Sequence, residues 1–381
     1  MIWPKALLIS FCLIVMAASA PALPGRSAYV MRFDQARVYL DHFDLTNDSV
    51  SARASIPRDA GYNNFVVDEA GGCYLAKYRH DPWYGREISY YDPQAKKISR
   101  FIKFKDIFGP RYMILTKDEL IVEVCGNDRT RMKSGLIFID RRSGKIVREL
   151  FIQEDNTALL QANINDLSYD GAGQILFTSF YIDRYYDDAA RNKARNEDGY
   201  GDVYIVDIAK KAVIKQIPVP RDYTPVDGVC RVGNKIYVAA LSKGRTRDAR
   251  GSTPLNKELL VFSFSSGRLI KKIPVSPHPI KLVYDRSVNK IFVRHLPDYA
   301  PRDIIEVLDP KNDRIINRIK IGTPLLMFAL VKPGKLYLSA DKGWPPDSTK
   351  PRLVVIDTKT DKIIKQIPGN YTGISQGSFV D

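Results

Sequence analysis

The feature that most constrains this chain is a fifteen-residue pattern that recurs along it. Tyr90 to Phe104, Phe138 to Ile152, Ile205 to Val219, Val307 to Ile321 and Val355 to Gly369 superimpose without a gap. In each, an Asp precedes an apolar residue by ten positions: Asp92 and Ile102, Asp140 and Leu150, Asp207 and Ile217, Asp309 and Ile319, Asp357 and Ile367. A copy at Val261 to Val275 keeps the spacing from Ser263 to Ile273 without the Asp, and another begins at Asp44 and reads two residues longer. Each copy reads as a β-hairpin: a β-branched strand, a turn opened by Asp, and a second β-branched strand. The carboxylate can bond the turn's own amides, so these aspartates are expected to be structural rather than catalytic.

A second strand pair precedes each hairpin, as in NNFVVDEAGGCYLAKY, YMILTKDELIVEVC, DGVCRVGNKIYVAAL and FALVKPGKLYLSAD. Four short antiparallel strands per unit, with no helical periodicity between them, describe a propeller blade, and internal repeats of about 40–50 residues belong to that architecture. Successive turns lie 46 to 48 residues apart, except for 67 between Asp140 and Asp207 and 56 between Asp207 and Ser263. The segments AYVMRF and RVYLDHFD read as second and third strands of a first blade, and GISQGSFVD at the carboxyl end reads as its missing innermost strand. The fold expected is therefore all-β: a seven-bladed β-propeller closed by pairing of the N- and C-terminal strands, leaving no open sheet edge.

The strands IYVAA, IFVRH and LYLSA, with a D-x-x-x-x-K-I-I-x-x-I-P turn and a Pro before the next blade (Pro225, Pro279, Pro324), resemble the YVTN β-propeller repeat family. The resemblance covers most of the chain and fits best from Tyr204 onward. It implies the fold and an extracytoplasmic setting, and it implies no single activity, since propellers host many functions.

Residues 1–22 carry Lys5, an apolar run from Ala6 to Met16 and the small residues Ala17 to Ala20 and Ala22, the layout of a secretory signal peptide, with cleavage expected after Ala22. Residues 23–381 would form the propeller, periplasmic or extracellular and not transmembrane. The apolar run is shorter than the ~20 residues that a spanning helix needs. Of the remaining cysteines, Cys73, Cys125 and Cys230, at most two can pair, and no zinc or covalent-haem spacing is present. The formal charge is +15, of which the leader contributes only Lys5, so an anionic partner is favoured if charge matters.

Loop length points to the place of function. Turns joining strand one to two and three to four are short. The connections from strand two to three are long and biased: 79–87, 126–135, 182–202, 242–258, 294–303 and 341–352. Long loops on a rigid scaffold are where binding residues concentrate. These carry basic groups interleaved with aromatics, and the candidate ligand-binding set is Arg79, His80, Trp83, Tyr84, Arg86, Arg129, Arg131, Tyr185, Tyr186, Arg245, Arg247, His295, Tyr299 and Trp344. Such a mixture suits an anionic polymer, a nucleic acid strand or a protein partner. The leading expectation is a monomeric, non-catalytic binding or scaffold protein without a cofactor.

The alternative is a metal-dependent hydrolase, lactonase or lyase at the channel mouth. Counting back ten from the second-strand aromatic or aliphatic residue sets Asn64, Asp166 and Asp227 at equivalent inner-strand positions, with Lys281 close by. Convergent oxygen ligands could hold calcium or another divalent cation. The acidic stretch with Glu197, Asp198 and Asp202 is a second calcium candidate. There is no GxSxG, P-loop or dinucleotide fingerprint, and His42, His80, His278 and His295 are too scattered for a cluster.

Overall fold

A computed structural model describes residues 27–33, 38–44, 46–56, 62–77, 86–104, 108–126, 134–152, 160–170, 172–183, 200–220, 222–243, 255–296, 303–322, 325–332, 334–340, 352–369, 371–374 and 379–380. Every regular element among them is a β-strand, and no helix there is long and apolar enough to cross a membrane. The proposed leader, residues 1–22, lies outside the described residues.

The chain opens with β1 (Ser27–Phe33), β2 (Val38–Asp44) and β3 (Ser49–Ile56). Six four-stranded blades follow, each antiparallel and each made of strands consecutive in sequence. The first consists of β4 (Tyr62–Val67), β5 (Cys73–Lys77), β6 (Glu87–Asp92) and β7 (Lys97–Lys103), and the next of β8 (Phe108–Thr116), β9 (Glu119–Gly126), β10 (Ser134–Asp140) and β11 (Ile146–Phe151). Then come β12 (Leu160–Tyr169), β13 (Gln174–Asp183), β14 (Tyr200–Asp207) and β15 (Ala212–Pro218), and after them β16 (Tyr223–Val232), β17 (Lys235–Lys243), β18 (Glu258–Ser263) and β19 (Leu269–Pro274). The last two comprise β20 (Pro279–Asp285), β21 (Lys290–His295), β22 (Ile304–Asp309) and β23 (Arg314–Lys320), then β24 (Leu325–Lys332), β25 (Lys335–Ala340), β26 (Arg352–Asp357) and β27 (Lys362–Pro368).

Contiguous chain thus yields six blades, one fewer than the repeat count predicts. The remaining sheet is composite: β28 (Tyr371–Ile374) pairs antiparallel with β1, giving the order β28-β1-β2-β3. The expected terminal strand is only partly right in position. Tyr371–Ile374 supplies the added strand, whereas β29 (Phe379–Val380) runs parallel to Leu115 and Thr116 at the inner edge of β8.

The outer hairpins show why the Asp pattern repeats. The residue four after each turn-opening position has positive φ: Asp48, Lys96, Gly144, Lys211, Gly267, Asp313 and Asp361. That left-handed residue ends a tight turn and shifts the register of the following strand. The opening carboxylates accept from turn amides as expected, for instance Asp140 Oδ1 from Ser143 N at 2.7 Å and Asp357 Oδ1 from Thr360 N at 2.7 Å. Ser263 does the same through its hydroxyl, at 3.2 Å from Ser266 N.

Those left-handed residues also lock neighbouring sheets. Asp313 accepts from Tyr237 Oη at 2.7 Å and Lys235 Nζ at 2.8 Å, both at the start of β17 in the preceding blade. Asp361 accepts from Lys290 Nζ at 2.8 Å, and Asp48 from Lys335 Nζ at 2.7 Å and from the Tyr337 hydroxyl. The last lock ties the β24–β27 blade to the composite sheet. Between β9 and the β14–β15 turn the charges are reversed, with Glu119 meeting Lys211 at 2.9 Å.

Apolar side chains fill the spaces between sheets. Tyr237, Leu259 and Val261 face Leu282, Ile291 and Val293 across one interface, and Phe292, Ile305 and Val307 face Leu336, Leu338 and Val354 across the next. Each fully buried side chain of this size contributes roughly 1.5–3 kcal/mol of transfer free energy. Cys73 and Cys230 are free thiols inside this packing. Burial, with help from the nearby Asp68 charge, pushes the Cys73 thiol well above its ordinary value.

Candidate functional site

Because strand order within each blade follows sequence order, connections alternate between its two ends. Strands one and two, and three and four, are joined by two to five residues, whereas strands two and three of the six contiguous blades are joined by seven to sixteen. All six long connections therefore leave the ends opposite the interlocked short turns. Most of the sequence-predicted ligand set falls within them and lies outside the described residues: Arg79, His80, Trp83, Tyr84, Arg129, Arg131, Tyr185, Tyr186, Arg245, Arg247, Tyr299 and Trp344. Arg86 is described and half-buried, and its carbonyl accepts from Phe104 N at 2.8 Å.

His295 differs from its expected surface placement. It ends β21, is 3 % exposed, and donates from Nδ1 to the Pro277 carbonyl at 3.0 Å. Its Nε2 faces Glu306 Oε2 at 3.1 Å, and Glu306 also accepts from Arg318 Nε at 2.9 Å, Ser276 N at 2.9 Å and Ser276 Oγ at 2.9 Å. Burial opposes ionisation of Glu306, but the bonds from His295 and Ser276 outweigh it and hold the carboxyl at about 2. The same device occurs in the composite sheet, where buried Asp41 accepts from Arg53 Nε at 2.6 Å and lies 3.5 Å from Arg32 Nε. Nearby, His278 is buried with φ of 55°, its amide donating to Asn256 O and its carbonyl accepting from Leu296 N. This part of the long-connection end is thus a set of buried clasps that fix where the loops begin.

Every inner strand breaks register toward that end: between Tyr62 and Asn64, Pro110 and Met113, Ile164 and Asp166, Val226 and Val229, Pro279 and Lys281, and Leu325 and Met327. Bulges re-aim side chains and are common beside functional sites. Register places Asn64 opposite Ala76, Asp166 opposite Thr178, Lys281 opposite Arg294 and Met327 opposite Ser339. Asp227 instead sits with Gly228 inside a two-residue bulge opposite Ala239, and Arg111 with Tyr112 inside one opposite Glu123. Counting residues along the chain misses such an insertion, which is why Tyr112 escaped the sequence reading.

As for the metal candidates, Asn64 Oδ1 accepts from the Phe65 amide at 2.8 Å, and the Asp227 carbonyl accepts from Thr178 Oγ1 at 2.7 Å. Among the described residues no three His, Cys, Asp or Glu side chains gather as a metal cluster. Asp202, proposed as part of a calcium loop, is a buried residue of β14 bonded to Gln216 Nε2 at 2.6 Å, while Glu197 and Asp198 lie outside the described residues. Burial raises the Asp202 carboxyl despite that bond.

Charge near the inner strands comes from three blades, with Lys281 and Arg294 in β20–β23, Asp227 in β16–β19 and Glu123 in β8–β11. Lys281 Nζ lies 5.9 Å from the Tyr112 ring centroid, although two whole blades separate β8 from β20 in the chain. Arg294, read from the sequence both as part of the strand IFVRH and as the first residue of the 294–303 connection, belongs to β21. Desolvation lowers its guanidinium to about 10, with Tyr112 and Asp227 acting in the opposite direction. Glu123, wholly buried, accepts from the Tyr112 amide at 3.3 Å.

No family model matches this sequence, and no curated protein matches it. The resemblance to YVTN repeats therefore stands on the quoted motifs alone. Among solved structures, a hypothetical selenium-binding protein from Sulfolobus tokodaii aligns with TM-score 0.64 at 10% identity, over 94% of this chain and 91% of that one. Dihydro-heme d1 dehydrogenase NirN aligns with TM-score 0.56 at 12% identity, over 93% and 76%. A functionally unknown protein from Desulfotomaculum acetoxidans aligns with TM-score 0.54 at 11% identity, over 91% and 99%. At such identities the likeness extends to the fold alone: this chain has a β-propeller fold.

Proposed function

We propose that the protein is an exported binding propeller that holds an anionic polymer on the face formed by its long strand-two to strand-three connections. In this reading the composite sheet acts as a seventh blade and closes the ring, a role supported by the Asp48 lock to Tyr337 and Lys335 and by the β1–β28 pairing. The observation that carries the function is the segregation of connection lengths. Six blades send seven to sixteen residues from one end and two to five from the other. A chain under no demand at that end would close it with the same tight turns.

The composition of those connections supplies the ligand class. Arg129, Arg131, Arg245 and Arg247 stand among Trp83, Tyr84, Tyr185, Tyr186 and Trp344, and guanidinium groups beside aromatic faces suit sulfated or phosphorylated polymers. The test is binding of the mature protein to heparin, polyphosphate and single-stranded DNA as salt is varied. Affinity should fall as salt rises, and reversing Arg129 and Arg131, or Arg245 and Arg247, to Glu should weaken it by about tenfold or more. Retention of wild-type affinity by both charge-reversed proteins would defeat the reading, and a partner captured through the same face but indifferent to polyanions would make it a protein-docking surface instead.

A further inference from the structure

The clasp around Glu306 and the clasp around Asp41 occupy the same place in two different sheets. Glu306 stands three residues before the turn-opening Asp309, and Asp41 three before Asp44. Each faces an arginine of the outermost strand directly, Arg318 in one sheet and Arg53 in the other. On the inner side Glu306 pairs with Val293 and Asp41 with Val30, and the group two residues further along meets the carboxylate: His295 in β21, Arg32 in β1. Arginine is charged at every working pH, whereas histidine exchanges its charge near neutrality. A titratable ring therefore stands where the sister sheet uses a permanent cation.

Geometry assigns the protons of that ring. Nδ1 lies 3.0 Å from the Pro277 carbonyl oxygen, which can only accept, and Nε2 lies 3.1 Å from Glu306 Oε2. Glu306 already takes Arg318 Nε, Ser276 N and Ser276 Oγ as donors, which favours the carboxylate. Both ring nitrogens face acceptors, and only the imidazolium has a proton for each. A neutral ring that kept its bond to Pro277 would turn a lone pair toward the carboxylate, where both side chains are buried. The preceding blade packs apolar side chains on this side, among them Tyr237, Leu259, Val261, Ile273 and Val275. Lys257 ahead of β18 and Lys320 in β23 are exposed, Asp303 offers its carbonyl to Ile321 N, and Arg294 alternates to the other face of β21. His278, a second buried histidine, lies in the same connection as Ser276. We propose that His295 serves as the cation of this clasp, and that loss of its second proton as pH rises unlocks the root of the β21–β22 connection, which begins directly after it. The bond from Leu296 N to the His278 carbonyl at 2.9 Å would loosen with it. Stabilisation is present while the ring is charged and is lost as pH rises, and Glu306, held at about 2, stays a carboxylate throughout that range. The device is independent of what the long connections bind.

Long-range ¹H–¹⁵N spectra of the labelled mature protein from pH 5 to 9 report the ring's protons, with His295→Gln supplying the assignment. Thermal unfolding of both proteins over the same range reports the clasp. The His295 ring should carry two N–H protons at pH 5 and lose one on the way to pH 9. The wild-type midpoint should lie about 2 °C or more above that of His295→Gln at the acid end, and the gap should close as the proton leaves. His42 and His278 titrate in both proteins, so the difference isolates His295. Should His295→Gln fail to fold, substitution of the other three histidines assigns the ring by elimination, and the wild-type spectra carry the test. A ring that keeps one charge state from pH 5 to 9, or a gap in midpoint that does not change with pH, overturns the proposal.

Discussion

Glu306 shows how one buried carboxylate organises three strands and the entry to a fourth. It receives His295 from β21, Arg318 from β23 and Ser276 from the segment leading into β20, so its charge is matched although its side chain is wholly buried. Replacing it by Gln removes the charge facing Arg318 and His295 and leaves one acceptor oxygen in place of two, a loss of about 1–3 kcal/mol given the exposure of Arg318. The pH dependence has a definite sign. The folded carboxyl ionises at about 2 against an ordinary 4.5, so its stabilisation is complete above the ordinary value and is lost as pH falls toward 2. The gap in unfolding free energy between wild type and Glu306→Gln should therefore be full at pH 6 and shrink at pH 3. An equal gap at both pH values would show that the charge is not what stabilises the clasp.

At the scale of elements, neighbouring sheets are joined by one lock written in two charge patterns. Lys235 and Asp313 use one order, and Glu119 and Lys211 the reverse, at the same places in strand and turn. The left-handed residue of the turn can be Asp or Lys because either tolerates that conformation at modest cost. Glu119→Lys alone, or Lys211→Asp alone, sets like charges together and should cost about 1 kcal/mol, given the partial exposure of both groups. The double variant recreates the Lys235–Asp313 arrangement and should recover most of that loss, which a double-mutant cycle by denaturant unfolding would measure. Strictly additive losses would mean that the pair is incidental. The outer strands meanwhile keep exposed apolar side chains, Val147, Ile214, Ile270, Ile316 and Ile364, next to basic ones, a means of discouraging edge-to-edge pairing.

For the whole molecule, the two carboxyl-terminal strands are expected to differ in weight. β28 completes the composite sheet, whereas β29 adds two residues to β8. A chain ending at Gly369 loses both, leaves β1 unpaired on one side and should be destabilised by about 3 kcal/mol or more. One ending at Ile374 should change by less than about 1 kcal/mol. Thermal or urea unfolding of the two truncations decides the matter, and equal stability would argue against a closing role for β28.

The sequence alone determined the repeating hairpin and the role of its aspartates, because turn geometry, left-handed residues and β-branched alternation act within about ten residues of chain. It also located the long connections, since their length is a property of spacing. It could not settle how the repeats are completed: the composite sheet joins residues more than three hundred positions apart, and β29 leaves that sheet for β8. It read Arg294 and His295 both as the end of the strand IFVRH and as the start of the 294–303 connection, and only pairing reveals that one faces Glu306 while the other faces Lys281. Tyr112 and Gly228 were illegible for a related reason. A bulge shifts register by one residue without changing the residue pattern, so only hydrogen bonding between strands decides which side chains meet along the inner strands.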